Sequence, residues 1–419
     1  MTKKRIFFSV GEASGDLHAS NLILDLKTIR PDFDFTFFGY GGPKMADVGC
    51  NLLEDLTQHA VMFLTGIFSK IAKFRRLLKQ AEEVFKNQQV DLVVLIDYSG
   101  FNWHVARRAK KYGIPVVFYG IPQMWAWAPW RVRKMRKYVD LGICKLPFEK
   151  KWLEDRQCKA EYVGHPFFDE MDRQDFDQDF ESKIRADLGE QELVTILPGS
   201  RRQELASNIP VFLRTAELVH KDRPQTQFVV SCLDDSQKEQ AESIIREQFA
   251  ENEFVQTKIK VFGGRTPELV RIAKCCLACS GSVSLELMYR EKPTVIHYRL
   301  ANLLFQLQKV MLRVKYITLV NLLWTDSIQR KGMKVYNPDT AGAENIPFVE
   351  YLTNADRANE MKDQIIRLLD DQVFYDDKKQ MLRLLKEKYG QPGASSRAAK
   401  LLVDRFLDSK NSTTAQHAA

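Results

Sequence analysis

The chain lacks an apolar run long enough to cross a bilayer. A spanning helix needs about 20 consecutive apolar residues, and the greasiest stretch, residues 116–130, is interrupted by Pro122, Gln123 and Pro129. It also lacks a secretory h-region: Lys3-Lys4-Arg5 runs straight into Ile6-Phe7-Phe8, a short strand pattern. Cysteine is sparse. Seven stand at Cys50, Cys144, Cys158, Cys232, Cys275, Cys276 and Cys279, an odd number without framework spacing, which excludes a disulfide scaffold and fits a reduced cytosol. Cys276 and Cys279 make a lone CxxC. One pair cannot close a four-ligand zinc site, so no metal is expected and the segment reads as a buried strand. There is no GxGxxG dinucleotide loop and no repeat at a solenoid period. Nor is there a strong charge bias: 62 Lys and Arg against 54 Asp and Glu leave a net +8, too modest to indicate nucleic acid but suited to a phosphate-bearing or membrane partner.

What is present is alternation. The 419 residues, 45% hydrophobic and 28% charged, suffice for two soluble domains, each with its own core. Residues 5–10, 33–40, 90–97, 115–119 and 141–144 read as strands. Helices are expected over 16–29 and 102–112, and a basic helix precedes residue 141. Near-continuous apolar strands between amphipathic helices predict a parallel sheet covered on both faces. The pattern breaks at Val163-Gly164-His165-Pro166 and passes an acidic stretch. It then restarts with strands at 194–197, 227–231, 259–262, 276–279 and 294–298 and a long helix over 210–220. The expected boundaries are a first Rossmann-like domain over 1–166, a linker over 167–190 and a second Rossmann-like domain over 191–372. C-terminal helices follow over 373–408, then a disordered tail at 409–419. This is an α/β chain with two parallel-sheet domains facing a cleft, the glycosyltransferase-B architecture. Some epimerases and phosphorylases share that architecture, so it does not name a reaction.

Chemistry-bearing turns sit at strand ends. Gly11-Glu12-Ala13-Ser14-Gly15-Asp16 follows the first strand, where glycines allow a tight turn and the helix behind offers free amides. An ordinary turn with Asp16 as N-cap is the alternative. Asp97 closes the strand at 90–96, in Ile96-Asp97-Tyr98-Ser99-Gly100-Phe101-Asn102. A carboxylate there can take the proton of an acceptor hydroxyl, or merely cap the next helix. Pro198-Gly199-Ser200-Arg201 is the matching turn of the second domain: the amides of Gly199 and Ser200 and the Arg201 guanidinium suit a diphosphate. Ser280-Gly281-Ser282 opens another helix toward an anion, with Glu286 one turn on, able to grip the two hydroxyls of a ribose. Three tryptophans, Trp125, Trp127 and Trp130, lead into a basic run at Arg131, Arg133, Lys134, Arg136 and Lys137. They suit a sugar face, a headgroup boundary or a core. Finally, Leu64, Ile67, Phe68, Ile71, Phe74 and Leu78 share a helical face within 61–79, with Lys70, Lys73, Arg76 and Lys79 mostly opposite. That pattern fits a helix lying in a bilayer surface as well as a core-facing one.

In order along the chain, GEASGD, Gly41-Gly42-Pro43-Lys44-Met45, IDxxxFN, Trp125-Ala126-Trp127, Leu146-Pro147-Phe148-Glu149, VGHP, LPGSR, SGSxSLE and Val320-Asn321-Leu322-Leu323 resemble the lipid-A-disaccharide synthases, family 19 glycosyltransferases. The resemblance covers about residues 5–353. It implies an inverting transfer from UDP-2,3-diacylglucosamine to 2,3-diacylglucosamine 1-phosphate, giving UDP and a β-1,6-linked disaccharide 1-phosphate. It further implies no metal and no cofactor, peripheral attachment to the cytoplasmic face of an inner membrane, and room for a homodimer. Asp97 matches the family's essential aspartate. Glu12 and Ser14 match functional positions of the first loop, Arg201 the diphosphate-side arginine, Ser282 and Glu286 the donor turn, and Asn321 an asparagine near the cleft. The chain departs from the family where Gly100 replaces a second acid, Ala128 follows the Trp-Ala-Trp core, Val320 replaces a proline, and Thr353 stands in place of a glutamine. Two other readings remain open at this level: another UDP-sugar enzyme of the same fold, and a non-catalytic nucleotide-sugar or lipid-binding protein.

Overall fold

The computed structural model describes residues 1–57, 67–330, 332, 336–338, 340 and 342–408, with backbone alone at 67–71. The chain forms two compact units. The first combines Met1–Asp169 with the chain from Gln391 onward, and the second is Glu170–Gly390.

The first unit holds a seven-stranded sheet. Its strands are β1 (Thr2–Val10), β2 (Phe33–Gly41), β3 (Cys50–Asp55), β4 (Leu92–Ile96), β5 (Val116–Tyr119), β6 (Leu141–Cys144) and β7 (Ala160–Tyr162), in the order β3-β2-β1-β4-β5-β6-β7. Every pairing is parallel. β4 and β5 are buried along their whole length, because helices cover both faces, and this explains their unbroken apolar reading. β3 and β7 are edge strands with half-exposed, partly acidic residues, so neither gives an apolar signal.

The first helix spans Ala13–Ile29 with Glu12 at its N-cap, three residues earlier than the sequence pattern suggests. Asp16 is therefore not a cap of its own helix. It is buried, and its carboxylate accepts the backbone N–H groups of Gly42, Lys44 and Met45 at 3.0, 3.0 and 3.1 Å, at the start of the Pro43–Asp47 helix. Gly42 is needed there, since a Cβ would come within 2.6 Å of that carboxylate. GEASGD and GGPKM are two halves of one contact.

The last helix, Ala394–Leu402, completes this unit. Ala398, Ala399, Leu402, Val403 and Leu407 share a core with Ile6, Phe8, Ala19, Leu22 and Ile23. Asp169 anchors it by accepting the amides of Gly393, Ala394 and Ser395 at 2.5, 3.1 and 3.0 Å, and Arg397 donates to the Val163 carbonyl at 2.7 Å. The VGHP segment thus meets the C-terminal helix, while the other terminal helix, Gln372–Tyr389, lies in the second unit.

The second unit holds β8 (Leu193–Leu197), β9 (Gln227–Cys232), β10 (Ile259–Gly263), β11 (Cys275–Cys279), β12 (Thr294–Arg299) and β13 (Val349–Thr353), in the order β10-β9-β8-β11-β12-β13, again all parallel. Cys276 and Cys279 lie buried in β11, and burial pushes both thiols up to about 12. The long helix after β8 runs Arg202–Asp222 and carries Pro210 in its interior, so the proline does not mark its start. In both sheets the strand order reverses beside the first strand of the unit, between β1 and β4 and between β8 and β11.

The Asp169 anchor has a measurable weight. Asp169→Ala removes one acceptor from three buried amides, and we expect it to cost about 2–4 kcal/mol, read as a lowered urea midpoint. Asp172→Ala, at an exposed neighbour, should leave the midpoint nearly unchanged. Equal midpoints for both variants would refute the anchor.

Candidate functional site

In an open parallel sheet, a ligand-binding crevice forms beyond the strand C-termini where the strand order reverses. At the β1–β4 reversal of the first unit, the chain leaves β4 through Asp97 and Tyr98, at φ of 48° and 37°. Two consecutive non-glycine residues in the left-handed region are costly and persist only where the surroundings hold them. Asn102 does so. It is fully buried, and its Nδ2 donates to the carbonyls of Ser9, Ile96 and Asp97 at 3.1, 3.2 and 2.9 Å, while its Oδ1 accepts from Ser9 Oγ at 2.6 Å. The asparagine of IDxxxFN is thus the lock on the turn that presents Asp97.

Glycines clear the space around it. A Cβ on Gly11 would stand 2.4 Å from the Tyr98 ring, and one on Gly15 would stand 3.1 Å from Asp97 Oδ2 and 2.8 Å from Val10. Lys145, just past β6, brings its Nζ to 3.3 Å from Asp97 Oδ1, with both side chains less than a fifth exposed. Gly120, past β5 at φ 71°, makes room for it, since a Cβ there would meet the Lys145 Nζ at 2.8 Å. Four strand ends therefore converge on one carboxylate. His18, one turn into the first helix, is lowered to about 4, chiefly by burial and then by Lys145. Its ring lies 6.4 Å from that of His165, which burial also holds well below its ordinary value. Both imidazoles are neutral at pH 7. Glu12 and Ser14 lie exposed at the mouth of the same helix. Gly100 is exposed, with no atom within 4 Å of a Cβ placed there.

The Trp-Ala-Trp and LPFE motifs meet each other. Trp125 is buried, donates from Nε1 to Glu149 Oε1 at 3.1 Å and packs edge-on against Phe148. Glu149 also accepts the amides of Lys145 and Leu146 at 3.0 and 3.1 Å, which sets the backbone that carries Lys145. Trp125 is therefore core, whereas Trp127 and Trp130 are exposed, with the Arg131 guanidinium 4.4 Å over the Trp127 ring. Arg133, Lys134, Arg136 and Lys137 are exposed beside them.

Of the amphipathic segment, Leu64 and the side chains of Ile67, Phe68 and Ile71 lie outside the described residues. From Phe74 on, the Ile67–Asn87 helix faces the core. Leu77, Leu78, Ala81 and Phe85 are buried, and Phe74 packs on Phe101 and Tyr98, beside the Asp97 turn. Among the described residues no helix is long and apolar enough to cross a membrane.

At the β8–β11 reversal of the second unit, Gly199 takes φ 123°, and a Cβ on it would collide with Glu204 at 2.6 Å. Glu204 accepts the amides of Ser200 and Arg201 at 3.0 and 3.2 Å, so the expected free Ser200 amide is already engaged. A glutamate three residues past the N-cap competes with any anion for these donors. Arg201, 78% exposed, pairs with Glu204 at 2.9 Å and is a cation that this turn presents. Past β11, Gly281 and Ser282 lie exposed at the head of the Val283–Tyr289 helix, and the Ser280 hydroxyl points to the Ile317 carbonyl.

Glu286 is buried in that helix and paired with Arg290 at 2.9 Å. Asn321, expected near the donor, is engaged within the second unit. It is fully buried, its Nδ2 donates to Phe348 O and Glu350 Oε2 at 2.8 and 2.9 Å, and its Oδ1 accepts from Phe348 N at 3.0 Å. It ties the Leu319–Trp324 helix to β13. Glu350 completes this knot by accepting from Ile317 N, Thr318 N and Thr318 Oγ1, and burial raises it to about 7. Thr353, the last residue of β13, accepts the Ala355 amide through its hydroxyl. Sequence reasoning missed Lys145, whose one local signal is its place directly before LPFE.

A model of the family described as Lipid-A-disaccharide synthetase matches residues 6–384. The chain is 30% identical over 401 residues to the lipid-A-disaccharide synthase of Trichlorobacter lovleyi, covering 96% of this chain and 97% of that one. It is 29% identical over 400 residues to that of Myxococcus xanthus, with the same coverage. Among solved structures, the S. aureus MnaA–UDP co-structure superposes with a TM-score of 0.62 at 11% identity, over 96% of each chain. A glycosyltransferase from Rickettsia africae superposes with a TM-score of 0.58 at 12% identity, over 98% of this chain and 100% of that one. At these identities the structural likenesses establish the two-sheet, glycosyltransferase-B fold alone.

The strut beneath Lys145 has a pH signature. Burial raises Glu149 to about 7 from an ordinary 4.5, against the opposing pull of Lys145 and its hydrogen bonds. The folded state thus keeps a proton that the unfolded chain has lost, and the associated stability is present below about 4.5 and lost as pH rises through 7. The stability of the native protein relative to Glu149→Gln should fall across that window by on the order of 2 kcal/mol, measured by urea unfolding. A difference that is flat with pH would refute it.

Proposed function

The chain belongs to the lipid-A-disaccharide synthetase family, a glycosyltransferase of lipid A biosynthesis, and on that premise we propose that it condenses UDP-2,3-diacylglucosamine with 2,3-diacylglucosamine 1-phosphate. UDP and the β-1,6-linked disaccharide 1-phosphate are the products, with inversion at the anomeric carbon.

The observation that carries this reading is the Asp97 turn. A carboxylate is held at a sheet reversal in a strained backbone that Asn102 fastens, with glycines opened around it. Strain kept at a strand end next to a charged side chain favours a reacting group over a cap. In the proposed step Asp97 takes the proton of the acceptor hydroxyl as that oxygen bonds to the anomeric carbon. The bond from that carbon to the diphosphate breaks, and UDP departs with the electron pair. Lys145 keeps the carboxylate directed by its contact at 3.3 Å. Within the second unit, the exposed Arg201 and the amides at the head of the helix after Ser280 suit a diphosphate. Glu12 and Ser14, exposed at the first helix's mouth, are proposed to contact the sugar.

Both substrates carry acyl chains, so the enzyme is proposed to work at the cytoplasmic face of the inner membrane. The exposed Trp127 and Trp130 beside four exposed basic residues support a membrane-facing side on the first unit.

UDP release from UDP-2,3-diacylglucosamine, in detergent and EDTA, should require the monosaccharide 1-phosphate acceptor and yield the disaccharide 1-phosphate by mass spectrometry. Release without acceptor, or none from folded protein that binds UDP, would refute the transfer. Asp97→Asn should lower turnover by ~10²–10⁴-fold while UDP affinity holds. Near-normal turnover would remove Asp97 from the role.

A further inference from the structure

The Asn302–Met311 helix of the second unit buries none of its residues. Its apolar side chains are turned outward: Leu303 is 79% exposed, Leu304 52%, Leu307 48% and Val310 61%. Leu303, Leu307 and Val310, at i, i+4 and i+7, form one stripe, with Leu304 flanking it. A soluble helix ordinarily turns such a stripe inward. This one follows β12 directly, and Leu300 just before it donates to the Thr353 carbonyl at the end of β13. In a parallel sheet that is the same edge as the Gly199–Arg201 and Ser280–Ser282 turns.

The charge along this stretch of sequence is of one sign. Between Glu291 and Asp326 the sequence holds no Asp or Glu, while Arg299, Lys309, Arg313 and Lys315 all fall within it. Arg299 and Arg313 are exposed, and the Lys309 ammonium lies 5.1 Å over the Phe305 ring. An outward apolar stripe edged by cations complements a surface that is apolar within and anionic above.

We propose that this helix lies in the face of an anionic phospholipid bilayer, with Leu303, Leu304, Leu307 and Val310 among the acyl chains and Arg299, Lys309 and Arg313 at the phosphates. The inference rests on the acylated-donor reading in one respect: it brings the donor-side edge of the second unit to the surface where such a donor resides. The second unit then has a lipid contact of its own, in addition to the one proposed for the first.

The test is flotation of the full chain with phosphatidylcholine vesicles, with and without about one-third phosphatidylglycerol. The triple variant Leu303→Gln/Leu307→Gln/Val310→Gln should partition at least about tenfold less onto the anionic vesicles. Arg299→Gln/Arg313→Gln should lose several-fold there and nothing on the neutral ones. Equal flotation of the triple variant and the native chain overturns the proposal. So does a drop in solution mass with flotation unchanged, which would make the stripe a contact between copies of this chain. UDP release in detergent keeps the two readings apart. The triple variant should retain it, and a native chain that binds anionic vesicles through the stripe but transfers no sugar refutes the catalytic reading alone.

Discussion

Within each sheet every strand runs the same way, and the placement of chemistry depends on that one constraint. Parallel pairing sends all the C-termini of a sheet to a single edge, and a reversal of strand order parts the connecting loops there. Glu12, Ser14, Asp97 and Lys145 come from separate parts of the chain and share an edge because their strands are parallel. Arg201 and Ser282 do so in the second unit. No local property of these residues would bring them together.

Carboxylates do most of the fastening. Asp16 takes three amides of the Gly42 turn, Asp169 three at the last helix, Glu149 two beside a tryptophan N–H, and Glu350 two beside a hydroxyl and an asparagine. Buried ionisable groups are costly unless their oxygens are filled, and each of these is filled by donors that a turn would otherwise leave unpaired. Asn321, which a linear reading places near the donor, joins one of these clusters by donating to Glu350. Asp97 differs. Among the described residues its close neighbours are a lysine and the open side of a glycine.

The strands of both cores are legible because burial on two faces leaves an unbroken apolar run. β3 and β7 are not, since an edge strand needs no such run. β13 is hidden by Glu350, whose charge reads as surface until four donors are found around it. Asp97 is legible from its place at a strand end. Lys145 is not, because a contact spanning 48 positions depends on the order of strands and on a glycine in a third loop. The Ser200 amide after β8 reads as vacant because the pattern reveals the helix start but not that Glu204 turns back onto it. The outward leucines of the Asn302–Met311 helix read as an ordinary amphipathic stretch, since periodicity reports a stripe and not which way it faces.

The first unit is closed by the Ala394–Leu402 helix, with the whole of Glu170–Gly390 in between. During synthesis at ~5–20 residues per second, those 221 positions (390 − 169) occupy the ribosome for roughly ten to forty seconds. Throughout that interval Ala19, Leu22, Ile23 and Leu26 have no Ala398, Ala399 or Leu402 to cover them. The nascent seven-stranded sheet therefore waits with an open apolar seam while the second sheet emerges and folds as an uninterrupted segment. The order of completion is the reverse of the order of translation, and a ribosome stalled after residue 390 carries one finished body and one that still needs shelter.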